Sequence, residues 1–360
     1  MFFKASVNVL VVSINKHKNL SPLYSYLNPM NTPLKLTITG LVVVAIVAAF
    51  ALGRVTGSTP EIVNTSASES YPEMTEMRAG GTLSFINPLL ECDNYHASNS
   101  NAIVAMENDI RNYITLVQRE GKASAVSVYY RGLSFGPWVG INEKETYSPA
   151  SLVKVPLMMA VLKKAQDHAG ILQEKLQYTT RLTDVPPGIR DPDTLKRGVY
   201  YSVEDLMGRM IKHSDNEAKE MLLRFVGFDY FMQVIKDMGI DTHSDLSADF
   251  LSPKDYSRFF RLLYNATYLN REMSNKALAI LCTSTFSKGV VAGVPSGVKV
   301  AHKFGERYYL NSDQKQLHEC GIVYLQNAPY LICVMTRGNN FDSLATVISG
   351  VSALVYKNVR

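Results

Sequence analysis

From Asn101 onward, apolar positions fall into short periodic blocks separated by polar or glycine-containing breaks, as expected of a packed domain. Ile103, Val104, Ile110, Ile114 and Val117 recur at near-helical spacing and predict a helix over Asn101 to Glu120. Two strand-like runs follow, Ala123 to Tyr130 and Phe135 to Ile141, with Gly132 between them as a turn. The stretch Ser151 to Asp167 predicts a helix that is apolar on nearly every side. Such a helix has no face for water and belongs in the middle of a domain. Helical patterns continue over Val203 to Leu223, Phe228 to Met238 and Pro253 to Leu263. Val298 to Lys303, Cys320 to Leu325 and Tyr330 to Arg337 then read as strands, and Phe341 to Tyr356 as a closing helix. Strands at both ends with helices between them predict an α+β domain over residues 97–360. It consists of one antiparallel sheet drawn from both ends and an inserted helical lobe.

The N-terminal part is patterned differently. Residues 36–53 contain no charged side chain and as a helix would span about 27 Å, enough to cross a bilayer core. Lys4, Lys16, Lys18 and Lys35 precede the run and only Arg54 follows it closely. By the positive-inside rule, segment 1–35 stays in the cytoplasm and the domain lies outside. Ala49-Phe50-Ala51 also fits a cleavage site, so a removed signal peptide is the competing reading, with the same destination for the domain. Residues 54–96, rich in Ser, Thr, Glu and Gly over much of their length, read as a flexible extracytoplasmic tether.

Composition narrows the partners. A net charge of +5 without any Lys/Arg-rich run gives no footprint for nucleic acid. The 4 cysteines form no C-x-x-C pair and have no histidine at zinc-ligand spacing, so no metal is expected. Cys320 and Cys333 lie in two strand-like runs joined by Gln326-Asn-Ala-Pro329, and that hairpin places them diagonally, as a candidate disulfide.

Three short motifs carry possible chemistry. Ser151-Leu-Val-Lys154 sets a hydroxyl and an amine on one helix face. A lysine can take the serine proton when burial or another cation holds its amine neutral. The same spacing occurs at Ser13, Ser296 and Ser312, so it is the all-apolar helix behind Ser151 that distinguishes this copy. Ser214-Asp215-Asn216 between two helical runs reads, by itself, as a helix N-cap. Lys303-Phe304-Gly305 ends a strand-like run and by itself is a solvated lysine before a turn.

Taken in order and spacing, the three motifs resemble those of class A β-lactamases and penicillin-binding proteins. Val155-Pro156, Val203-x-Asp205-Leu206 and Gly293-Val-Pro-Ser-Gly297 extend the resemblance over most of residues 97–356. It implies Ser151 as nucleophile, Lys154 as base and Ser214 as proton donor to the leaving nitrogen. It also implies Asn216, Lys303, Gly305 and Glu306 as substrate-binding positions, with the Ser151 and Glu306 backbone N–H groups as the oxyanion hole. Asp215 is expected to be structural. The implied partner is a β-lactam or a peptidoglycan peptide, met by a monomer without a cofactor.

Two departures stand out. The family's Glu-x-x-Leu-Asn loop, whose Glu activates the deacylating water, is missing: Gly239 to Leu251 contains no Glu, with Asp245 and Asp249 as candidate substitutes. Phe304 stands where the family carries Thr or Ser, a hydroxyl that helps bind the substrate carboxylate, with His302 nearby as a compensating donor. Three readings stay open: a slow β-lactamase-like hydrolase, a cell-wall peptidase or transpeptidase, and a non-catalytic binding or sensor domain.

Overall fold

A computed structural model describes residues 76–78, 84–86 and 89–92. It also describes residues 101–360, apart from 135, 169, 181–194, 241–245 and 247. The segment 1–35, the apolar run 36–53 and most of the tether lie outside the described residues. No helix among the described residues is long and apolar enough to cross a membrane.

Two short strands, β1 (Glu76–Arg78) and β2 (Leu89–Cys92), pair with each other. The periodic block that opens the domain forms α1 (Asn101–Arg119), which buries Met106, Ile110, Ile114 and Val117. Val104 is exposed instead, because Met106 takes the core-facing position of that turn. The main sheet contains β3 (Ala125–Gly132), β4 (Trp138–Ile141), β7 (Val300–Tyr309), β8 (Ser312–Val323) and β9 (Tyr330–Gly338). Its order is β4-β3-β9-β8-β7 with every neighbour antiparallel, so the first strands of the domain pair with the last. On one face, α1 and the closing α8 (Phe341–Val359) share a core with Val126, Val128, Ile332 and Val334.

The other face carries the helical lobe. Its centre is α2 (Lys154–Asp167), in which every residue from Lys154 to Leu162 is buried. Around it pack α3 (Val203–Lys212), α4 (Asn216–Val226), α5 (Phe228–Asp237) and α7 (Arg271–Leu281), while α6 (Pro253–Asn265) lies on β3, β8 and β9. A minor hairpin, β5 (Lys175–Gln177) with β6 (Tyr200–Ser202), leads into α3. The helix starts follow local chemistry. Ser202, Asp215, Ser252, Asn270 and Asn340 each accept a backbone N–H of the first turn, and Pro253 follows Ser252 where its missing N–H costs nothing. Helix α7 gave little periodic signal because Ser274 and Ala277 occupy half of its buried face.

Strand register corrects the cysteine geometry. Cys320 and Cys333 are directly opposite, not diagonal, and form a disulfide with Cα atoms 4.0 Å apart. The ladder ends at the Val323–Tyr330 pair, so Tyr324 and Leu325 belong to the connection and the register shifts accordingly. Tyr324 is engaged elsewhere, its N–H donating to Lys299 O and its hydroxyl to Phe85 O.

The 3₁₀ turn Val290–Gly293 lies on α8, where Ser352 Oγ donates to Val290 O at 2.8 Å. A Cβ at Gly293 would stand 2.5 Å from Ser349 O and 2.7 Å from Ala353 N, both backbone atoms that cannot swing aside. Gly293→Ala is therefore expected to lower stability by about 2 kcal/mol, an overpacking cost. A urea-denaturation midpoint equal to that of the wild type would show that the turn can retreat from α8.

Candidate active site

The segment before α2 is held from several directions. Tyr147 exchanges backbone hydrogen bonds with Leu251 at 3.0 and 3.1 Å. Ser148 N donates to Gln316 Oε1 at 3.1 Å, and Tyr256 Oη donates to Leu152 O at 2.9 Å. Between these anchors, Ala150 has a φ of 46°, a left-handed conformation that a side chain disfavours, and the chain then turns through a 3₁₀ segment, Ala150–Val153. Gly305 of β7 closes the fourth side. A Cβ there would lie 3.1 Å from Pro149 O and 3.2 Å from Leu152 N, so the absence of a side chain lets the strand edge approach the turn. Ser151 sits in this turn, half-buried and so still reachable from solvent.

Lys154, one helical turn on, is 1 % exposed. Its Nζ lies 2.9 Å from Ser151 Oγ, 2.6 Å from Ser214 O, 2.9 Å from Ser214 Oγ and 2.7 Å from Asn216 Oδ1. An ammonium has three hydrogens for these four oxygens. One contact must be shared as an ammonium, and a neutral amine would instead accept the hydrogen of a hydroxyl. Such an arrangement can pass a proton between Ser151 and Ser214.

Ser214-Asp215-Asn216 lies in the break between α3 and α4. Asp215 is the N-cap, its Oδ1 accepting from Glu217 N at 2.8 Å and Ala218 N at 3.1 Å. Its neighbours do something else. Ser214 has a φ of 55°, again left-handed, and both Ser214 and Asn216 turn their polar groups to Lys154. The cap reading therefore holds for one residue of the three.

Lys303 approaches Ser214 from β7, with Nζ 3.0 Å from Ser214 Oγ and 2.7 Å from Phe304 O. It has no exposed surface, and this burial pushes its amine down to about 7, against a smaller upward pull from Glu306 and Glu319. The four motif side chains Ser151, Lys154, Ser214 and Lys303 thus form one hydrogen-bonded row. Glu306, half-buried, follows Gly305 along the same strand edge.

Two expected substitutes are spoken for. His302 is buried with its Nδ1 2.6 Å from Glu319 Oε1, a pairing that leaves it no part beside Ser214. Asp249 lies 3.0 Å from Arg337 Nη2 and accepts from Gln316 Nε2 at 3.3 Å, so its carboxylate is held in an ion pair. Asp245 lies outside the described residues.

Sequence reasoning missed the supports. Gln316 and His318 have no motif around them, yet Thr336 N donates to His318 Nδ1 at 3.3 Å, which leaves Nε2 to donate to Gln316 Oε1 at 3.2 Å. Desolvation holds His318 down to about 3, so it is a neutral link between the sheet and the Ser148 backbone. Among the described residues no group of three or more His, Cys, Asp or Glu side chains could hold a metal ion.

Two outcomes follow from this geometry. Lys154→Ala is expected to keep the fold and slow reaction at Ser151 by about 10³-fold, as for loss of a general base. Stopped-flow labelling of Ser151 checks this, and an unchanged rate would assign the proton elsewhere. Lys303 gives a stability signature. Between about pH 7 and 10.5 the unfolded chain holds a proton that the folded chain has lost, so stability rises with pH there. Below that window the folded state bears the full cost of a buried charge. Lys303→Met removes this dependence, so its urea midpoint should exceed the wild-type value most at acid pH, with the gap closing towards about pH 10.

Comparisons with known proteins agree with this fold. Among solved structures, TLA-3 extended-spectrum beta-lactamase matches with a TM-score of 0.63 and 21 % identity, over 71 % of this chain and 98 % of that one. A class A beta-lactamase from Mycobacterium abscessus matches with a TM-score of 0.60 and 18 % identity, over 70 % and 98 %. A mutant of PBP-A, described as an acyl-enzyme complex with penicillin G, matches with a TM-score of 0.59 and 21 % identity, over 69 % and 95 %. No curated protein matches the chain. A family model described as the beta-lactamase enzyme family matches residues 105–359, and the chain belongs to that family.

Proposed function

We propose that the chain is a serine acyl-enzyme hydrolase that opens β-lactam amides through Ser151 and turns the adduct over slowly. The observation that carries this reading is the position of Lys154 Nζ between Ser151 Oγ and Ser214 Oγ, 2.9 Å from each. Ser151 Oγ attacks the amide carbonyl carbon while its proton passes to Lys154. The tetrahedral oxyanion is held by the backbone N–H groups of Ser151 and Glu306. As the C–N bond breaks, Ser214 gives its proton to the leaving nitrogen and regains one from Lys154. Asn216 orients Lys154 and the substrate amide. The product of this half-reaction is an ester on Ser151.

Clearing that ester needs an activated water. The stretch Gly239 to Leu251 has no Glu, and the Asp249 carboxylate is paired with Arg337. These facts support a long-lived adduct. They also favour a second reading in which the natural acceptor is an amine of a cell-wall peptide and the enzyme is a peptidase or transpeptidase.

The setting we propose is extracytoplasmic, a monomer tethered by residues 36–53. The Cys320–Cys333 disulfide supports it, because such bonds persist in oxidising compartments.

Incubation of the full chain in detergent with a chromogenic β-lactam, followed by intact mass over time, tests the proposal. The expected result is a single adduct on the wild type that persists well beyond mixing, and none on Ser151→Ala. A chain that never gains mass and leaves cell-wall peptides uncut would sink the enzyme reading in favour of a binding domain.

A further inference from the structure

Three hydrogens of the Lys303 ammonium have three takers. Ser214 Oγ lies at 3.0 Å, Phe304 O at 2.7 Å, and the Phe304 ring centre at 4.0 Å, within cation–π distance. The ring is itself fixed, stacked on Phe286 with centroids 4.3 Å apart and planes 18° from parallel. Phe286 is fixed in turn, since Thr285 N and Oγ1 donate to Lys212 O at 3.1 and 2.9 Å, just before Ser214. Lys303 has no exposed surface and both phenyl rings are 4 % exposed. A carboxylate arriving beside Ser214 would therefore find no free N–H on Lys303, and would lose hydration that Lys303 does not replace. Ser214 marks the leaving-group side of the site, because in the proposed mechanism its hydroxyl gives the proton to the leaving nitrogen.

We infer that the Phe286–Phe304 pair makes this site select amides or esters whose leaving side is uncharged, such as an internal peptide amide, over substrates carrying a carboxylate there. The inference rests on the acyl-enzyme reading and names its substrate class. Phe304 is then a specificity residue, because its carbonyl and its ring occupy two of the three hydrogens with which Lys303 could meet a carboxylate.

A competition experiment decides it. Full-length wild type is mixed with equal amounts of benzylpenicillin and its methyl ester, whose adducts differ in mass by one methylene. Ester adduct is expected to exceed acid adduct by about tenfold, the worth of one unmet charged hydrogen bond. In Phe304→Thr the ratio should move by about tenfold or more towards the acid. Phe304→Leu, which keeps carbon packed over Lys303 should Thr fail to fold, should retain the ester preference. A wild type that takes the acid as readily as the ester overturns the inference, as does a folded Phe304→Thr with the wild-type ratio. Labelling of Ser151 by a fluorophosphonate but by neither lactam also overturns it while leaving acyl chemistry intact. A Ser151 inert to all three reagents removes the acyl-enzyme reading and this inference together.

Discussion

A lysine whose side chain is almost wholly removed from water must be met by enough oxygen to hold it there, and Lys154 is met by four. Burying such a group alone would cost several kcal/mol, so these contacts are a condition of the fold as much as of the chemistry. They also dictate what surrounds them. The turn carrying Ser151 must sit one helical turn before Lys154. The α3–α4 break must bend so that Ser214 and Asn216 face inward, which it does with a left-handed serine. The helix bearing Lys154 must be buried on all sides, which is why α2 has no solvent face along Lys154 to Leu162.

The sheet supplies the other half of the site. Edge strand β7 brings Lys303 to Ser214, and Gly305 lets its backbone close on the turn that carries Ser151. Behind the turn, the sheet reaches Ser148 through His318 and Gln316, two uncharged groups whose donors and acceptors fit only one way round. The left-handed residues Ala150 and Ser214 stand at the ends of this machinery. Their strain is tolerated because packing on both sides leaves the chain no alternative.

Side chains next to the motifs are tied into the packing. Phe304 stacks on Phe286 and covers Lys303. Asp249 is held by Arg337 and Gln316 and steadies the segment ahead of Ser148.

The sequence by itself determined which polar side chains would meet, since Ser151, Lys154, Ser214 and Lys303 were legible from their order and from the apolar helix behind them, and they form one hydrogen-bonded row. It determined the strongly periodic elements too, including the sheet drawn from both ends. What it could not carry was any choice made between distant segments. The polar tips of β7 and β8 were invisible because exposed strand ends have no alternation. The face-to-face Cys320–Cys333 pair depended on where the ladder stopped, a matter decided when Tyr324 bonds to Lys299 and Phe85. His302 found Glu319 on the neighbouring strand, and Phe304 found Phe286 from the loop after α7. Periodicity records which way a side chain faces along its own element. Which partner waits there is settled only when the elements pack.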